Sequence, residues 1–315
     1  MKYVLGYNTV SYFTAYVLDI PLIKHKTLEE LDRNHGADFI PSNLLQFTSN
    51  IFKDCKIEEY ERFYNDRGRF TSKQPKNFHN LYSLYTRGKT NVEKSYLNQL
   101  EKYQKYVSIN GLNAEDSFNT LLEKIKESVN KTIIDNQLTG IDIQEKELIG
   151  QPDIKFTNLI STINLVDLSE LDKSGTIRKS IVKNYNLEGF NLPHNDKFIY
   201  CCKLESTEDK TLAGIYKQVL ATGQPYYRKT YNKDSILYEC MRNIYNKQIE
   251  GNTILKYSET TQISDNLNIG RSLGIDLIGK FSQWKENTTL ETIYNQCMEL
   301  NEFYDIGENN HKKVF

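Results

Sequence analysis

The residues best spaced for chemistry lie near the amino terminus. Gly6, Asn8 and Ser11 occupy the three glycine positions of a G-x-G-x-x-G turn, directly after the β-prone run Lys2-Tyr3-Val4-Leu5. In that motif the first glycine makes a tight turn and the second lets backbone N–H groups approach a pyrophosphate. The third lets helix and strand pack closely. Gly6 can make the turn, and Ser11 is small enough for the packing. Asn8 tolerates unusual backbone angles, but its side chain fills space that a pyrophosphate would need. The implied chemistry is anion binding at a helix N-terminus, where backbone donors and the helix dipole favour negative charge. Any α/β protein with a strand–helix–strand opening is the competing reading.

The acid expected after the second strand, which would hold a ribose hydroxyl, is missing, and Lys24-His25-Lys26 stands there. Lys26 is either a phosphate contact or a solvated strand end. A second candidate is Arg228, set among Tyr226, Tyr227 and Tyr231. A guanidinium fork among aromatic rings can pair with a carboxylate or phosphate while the rings pack on the rest of a ligand. Strand alternation puts Tyr226, Arg228 and Thr230 on one face and Tyr227, Lys229 and Tyr231 on the other. The alternative is an arginine that snorkels to solvent. Arg87, with Lys89, is a weaker basic candidate at a turn.

Other chemistries find little support. The five histidines and five cysteines show no ligand spacing, no CxxC pair and no nucleophile–base order, so neither a metal site nor a hydrolytic triad is expected. Scattered cysteines, odd in number, suit a reducing cytoplasm. Forty Lys and Arg against 41 Asp and Glu leave a net charge of −1. That excludes a generally cationic nucleic-acid or membrane binder, though not a local basic groove. No apolar run approaches the ~18–20 residues that span a bilayer. The richness in Lys, Asn, Ile and Tyr suits an AT-rich coding genome, viral genomes included.

The elements that must position these residues follow from the apolar pattern. Residues 1–26 read as strand, tight turn, helix and strand. Asn113 to Val129 is a helix capped by Asn113, with Phe118, Leu121, Leu122, Ile125 and Val129 on one face. Glu93 to Val107 reads as a helix with a thin apolar stripe. Thr132-Ile133-Ile134 and Gly140-Ile141-Asp142-Ile143 are β-prone, and Lys155 to Leu165 suits a buried strand emerging at a sheet edge.

In this order the segments "TIIDNQLTGIDI" and "FTNLISTINLVDLSEL" resemble the FAD-binding amine-oxidase-type flavoproteins, particularly their protoporphyrinogen oxidase and UDP-galactopyranose mutase branches. "GQPYYRKTYNKDSILYEC" resembles their substrate-domain strand pair. "LNIGRSLGIDLIGKFSQWKENTTLETIYNQC" resembles the closing segment, in which a strand ends in Gly-Arg-Phe before a loop and a helix. Asn164 replaces a usual proline, and Lys280 replaces the arginine.

The resemblance implies a Rossmann-like FAD/NAD(P)-binding α/β domain built from discontinuous segments, with an inserted α+β substrate domain. The expected boundaries are 1–50, 110–165 and 265–315 for the cofactor domain, and 51–109 and 166–264 for the substrate or lid domain. FAD is the expected cofactor, with Gly6, Asn8, Ser11, Lys26, Gly279, Lys280 and Thr289 around it. Arg228, Tyr226 and Arg87 are expected to face a small-molecule or nucleotide-linked substrate. No catalytic side chain is named, because the flavin would carry the redox chemistry. The implied activity is an FAD-dependent oxidation. The alternatives are a non-redox flavin mutase and a relative that has lost FAD and serves in binding or assembly.

Overall fold

The computed structural model of the chain describes residues 1–6, 8–25, 39–78, 103–135, 138–163, 165–185, 197–205, 217–224, 226, 228–231, 235–240, 253–259, 274–279 and 289–312. In chain order the first strands are β1 (Lys2–Gly6), β2 (Leu22–Lys24), β3 (Cys55–Asp66), β4 (Arg69–Thr71), β5 (Tyr103–Ile109) and β6 (Ile134–Asp135). Next come β7 (Gly140–Asp142), β8 (Glu147–Ile149), β9 (Ile154–Lys155), β10 (Asn158–Ser161) and β11 (Lys197–Glu205). The last are β12 (Lys217–Thr222), β13 (Arg228–Tyr231), β14 (Ser235–Cys240), β15 (Thr253–Glu259) and β16 (Ile275–Leu277). The helices are α1 (Thr9–Leu18), α2 (Leu45–Ile51), α3 (Ala114–Val129), α4 (Leu165–Leu171), α5 (Thr176–Tyr185) and α6 (Leu290–Lys312).

The chain divides into two compact units. The first holds Met1–Asp32, Leu122–His194 and Thr260–Phe315, and the second holds Arg33–Leu121 and Asn195–Glu259. Helices α4 and α5 fall in the first unit, although the sequence reading began its lid domain at residue 166. Their apolar residues explain the placement. Leu165, Leu168 and Ile177 pack into the core of the first unit's sheet.

That sheet is parallel throughout, in the order β16-β10-β1-β2-β6. Tyr3 pairs with Leu159 and Leu5 with Ser161, so segments 156 residues apart share one ladder. One sheet face, with Tyr3, Leu5, Leu159 and Ile275, packs on the separate antiparallel sheet β7-β8-β9 through Ile141, Leu148 and Phe156. The other face receives α1, with α6 packed along it. Tyr304 on α6 donates to Asp276 of β16 at 2.7 Å, and Lys2 Nζ lies 4.3 Å from the centre of the same ring.

The second unit is built on an eight-stranded mixed sheet in the order β15-β11-β14-β13-β12-β3-β4, with β5 pairing β3. Two expectations are corrected. Residues 103–107 belong to strand β5, not to a helix from 93, and residues 93–102 lie outside the described residues. Tyr103, Tyr106 and Val107 fit the i, i+3, i+4 spacing of a helix, and pairing with β3 overrides it. The run from Lys155 to Leu165 is not one strand. The chain leaves β9, buries Phe156, anchors Thr157 to the Met1 carbonyl and enters the other sheet as β10.

Candidate functional site

At the carboxyl edge of the parallel sheet, β1 connects through α1 to β2 on one side, while β10 lies on its other side. This reversal is the switch point at which open α/β sheets bind ligands. Four of the sequence candidates meet there. Gly6 ends β1, Asn8 caps α1, Ser11 lies in the first turn of α1, and Gly279 follows β16. Thr162, just past β10, joins them.

Local hydrogen bonding fixes the arrangement. Asn8 Oδ1 accepts from Ser11 N at 2.9 Å, and Ser11 Oγ accepts from Asn8 N at 3.1 Å, a reciprocal capping box. Ser11 Oγ also lies 2.7 Å from Thr162 Oγ1, which donates to the Leu5 carbonyl at 3.1 Å. A Cβ at Gly6 would overlap both hydroxyls, so Gly6 is required for close strand–helix approach. Gly279 has φ +100°, and a Cβ there would come within 3.0 Å of Val10 Cγ1 on α1. The last strand thus reaches the first turn of the first helix.

The fit to a dinucleotide can be tested on these atoms. The first and third glycine roles are kept by Gly6 and Ser11. The second is altered, because the Asn8 carboxamide occupies the N–H of Ser11, a donor that a phosphate would use. That N–H is open to an anion only when the side chain rotates away, which opens the cap. Beside it Ser161 is fully buried at the end of β10, and its hydroxyl has no hydrogen-bond partner among the described residues. A buried orphan hydroxyl is costly unless water or a ligand meets it.

After β2, where the dinucleotide-binding motif has an acid, His25 is buried, and burial pushes its pKa below the usual histidine value. Thr289 caps α6, accepting from Thr292 N at 3.2 Å. Lys26, Lys280 and Arg87 lie outside the described residues.

Arg228 and Tyr226 belong to the second unit and occupy different faces. Tyr226 meets Tyr238 edge-on at 5.2 Å, and Tyr238 is the cross-strand partner of Lys229. Lys229 Nζ lies over both Tyr231 and Tyr238. The expected alternation of Tyr226 with Arg228 therefore fails, because Tyr226 precedes the strand and turns to the Lys229 side. Arg228, half-buried, shares its face with Thr230, which is fully buried with its hydroxyl unpartnered among the described residues. The register carries this face across Gln218 to Arg62, a fully buried arginine that sequence reasoning missed. Its charge sits mid-strand between Tyr60 and Tyr64, a pattern that looks like ordinary alternation.

Among the described residues no three His, Cys, Asp or Glu side chains gather as a metal site, and no helix is long and apolar enough to cross a membrane. Burial raises the Cys297 thiol to about 12, so it is no nucleophile.

The sheet order, with its switch point between β10 and β2, and the second unit inserted in the chain of the first are those of the fold of FAD-binding, Rossmann-like flavoproteins. The solved structures agree. A reduced UDP-galactopyranose mutase matches with TM-score 0.62 at 12% identity, covering 96% of this chain and 93% of that one. A protein from Pyrococcus furiosus matches at 0.58 and 10%, covering 96% and 97%. An oxidoreductase from Methanosarcina mazei matches at 0.56 and 9%, covering 96% and 100%. At such identities the likeness is one of fold. No protein-family model and no curated protein sequence matches the chain.

Proposed function

We propose that the chain is an FAD-dependent oxidoreductase of the amine-oxidase type, acting on a small or nucleotide-linked anionic substrate. The observation that carries this reading is the meeting of Gly6, Ser11, Thr162 and Gly279 at the N-terminus of α1, on the switch point of a fold shared with flavin enzymes. In this reading the first unit is the FAD domain and the second the substrate domain. FAD, when bound, supplies the electron acceptor. The first turn of α1 would hold its pyrophosphate with the Ser11 N–H freed from Asn8, where the helix dipole favours an anion. Lys26 and Lys280 are assigned to its phosphates, and the Thr289 end of α6 to its ring. Arg228, on the face that carries Arg62 and Thr230, orients the substrate anion. A cytoplasmic setting, with free thiols at Cys55 and Cys297, belongs to the same proposal.

A second reading, a cofactor-free binding or assembly protein, is favoured by one observation. The Asn8–Ser11 box already uses the helix donors that a cofactor would need. The spectrum of the purified protein, before and after incubation with FAD, decides between the two. Flavin absorbance retained through gel filtration and released on denaturation supports the first. Absence of retained flavin, with no FAD binding by titration, leaves the second.

A further inference from the structure

We propose that Thr162 is a positioning residue for the proposed cofactor site, on whose reading this inference rests. It keeps the Ser11 hydroxyl bonded while the Asn8 side chain swings out and uncovers the Ser11 N–H. The motivating observation is that two hydroxyl protons serve three contacts. Ser11 Oγ lies 2.9 Å from Asn8 Oδ1 and 2.7 Å from Thr162 Oγ1, and Thr162 Oγ1 lies 3.1 Å from the Leu5 carbonyl oxygen. Asn8 Oδ1 and the carbonyl can only accept, so the protons must come from Ser11 and Thr162.

If Ser11 donated to Asn8 and Thr162 to Leu5 at once, two hydroxyl oxygens would face each other at 2.7 Å with no proton between them. Two arrangements avoid this. In the first, Thr162 donates to Ser11 and Ser11 to Asn8, so the carboxamide accepts from both the hydroxyl and the N–H of Ser11. In the second, Ser11 donates to Thr162 and Thr162 to Leu5, and the carboxamide holds the N–H alone. The Leu5 carbonyl is satisfied in either, because it also accepts from Thr162 N at 3.0 Å. Rotation of the two hydroxyls converts one arrangement into the other.

The two differ in what happens when the cap opens. Ser11 is fully buried, and a buried hydroxyl left without an acceptor is costly. Leaving the first arrangement strands that hydroxyl, whereas leaving the second strands nothing. Ser11 Oγ goes on accepting from Asn8 N at 3.1 Å and donating to Thr162. Asn8 is only half-buried, so its carboxamide passes to water. The Ser11 N–H is then uncovered at a helix N-terminus, where the dipole favours an anion. The neighbouring Ser161 hydroxyl, buried and unpartnered among the described residues, shows the state in which Ser11 would stand without Thr162.

Two measurements on the full chain test the latch. The first is amide hydrogen exchange in the ligand-free protein, read by NMR, with the Ser11 N–H compared to the Ala15 N–H inside the same helix. Thr162→Val strands the Ser11 hydroxyl whenever the cap opens. Exchange at Ser11 relative to Ala15 should therefore slow at least about five-fold, the low end for such a group. Thr48→Val deletes another buried threonine hydroxyl, which donates to the Leu44 carbonyl at 2.9 Å, and should leave that ratio unchanged. The second is fluorescence titration with FAD. Thr162→Val should weaken FAD at least about five-fold in the parent. In the Asn8→Gly background, where no carboxamide has to leave, the loss should stay below about two-fold, the range in which independent changes simply add. An exchange ratio that Thr162→Val leaves unchanged or raises overturns the latch, as does an equal loss of FAD affinity in both backgrounds. If neither the parent nor Asn8→Gly binds FAD, the cofactor reading falls and the exchange ratio alone decides the latch.

Discussion

The hydroxyls of Ser11 and Thr162 lie 2.7 Å apart, although 151 residues separate them in sequence. Through this contact the first turn of α1 is fastened to the chain leaving β10, over the glycine that ends β1. Thr162 also meets the Leu5 carbonyl, so one side chain links two strands and a helix. A seam of this kind makes the switch point rigid before any ligand arrives.

Removing either part of the seam should cost stability. Thr162→Val keeps the shape and deletes the hydroxyl, leaving the buried Leu5 carbonyl and Ser11 hydroxyl with one partner fewer. A loss of about 1–2 kcal/mol is expected. Gly6→Ala should cost more, because its Cβ would overlap two oxygens anchored on backbone elements. Urea unfolding followed by far-ultraviolet circular dichroism ranks the two. A Gly6→Ala protein as stable as the parent would contradict the packing described.

Asn8→Gly separates capping from cofactor binding. Replacing an asparagine N-cap by glycine costs only a few tenths of a kcal/mol, so the fold should persist. The Ser11 N–H becomes available, and FAD should bind more tightly than to the parent. Fluorescence titration with FAD measures both proteins. Identical, undetectable binding would remove the cofactor from this site and leave the cofactor-free reading.

How much of this was legible depends on how local the cause is. The β1–α1–β2 unit follows from short-range signals, an aliphatic run, a cap and a second aliphatic run, and it stands where the pattern put it. Helix α3 is equally local, with Asp116 N donating to Asn113 Oδ1 at 2.9 Å. Strand β5 reads as helix in the sequence because Tyr103, Tyr106 and Val107 follow helical spacing, and it is the non-local pairing with β3 that makes it a strand. Thr162 was invisible as a site residue because its partner is 151 residues away. The face of Tyr226 was misjudged because alternation was extended one turn beyond the strand that begins at Arg228.

Acid should weaken the first unit through His25. Its pKa is lowered in the folded state by burial, so the unfolded chain binds the proton more readily. Its contribution is therefore fully present above the ordinary value of 6.5 and is lost as pH falls below it. The slope from one such group cannot exceed about 1.4 kcal/mol per pH unit. Melting temperatures at neutral pH and at pH values below 6.5, for the parent and for His25→Gln, provide the check. A parent melting curve no more acid-sensitive than the variant would remove His25 as the cause.

The last expectation concerns the two residues that the sequence grouped and the structure separates. If the Arg228 face holds the substrate anion, Arg228→Lys should weaken it by about 1.5–3 kcal/mol, since the ammonium keeps the charge but loses the fork. Tyr226→Phe should change affinity little, because that ring sits with Tyr238 on the opposite side and its hydroxyl meets Asn65. Thr230→Val sharpens the comparison. Removing an orphaned buried hydroxyl should leave the free protein as stable or slightly more so, yet should weaken any ligand that the hydroxyl meets. Calorimetric titration with nucleotide monophosphates and pyrophosphate, beside thermal melting of the free proteins, reads both effects. Loss of affinity in Tyr226→Phe but not in Arg228→Lys would move the substrate to the tyrosine face, where Lys229 stands over Tyr231 and Tyr238.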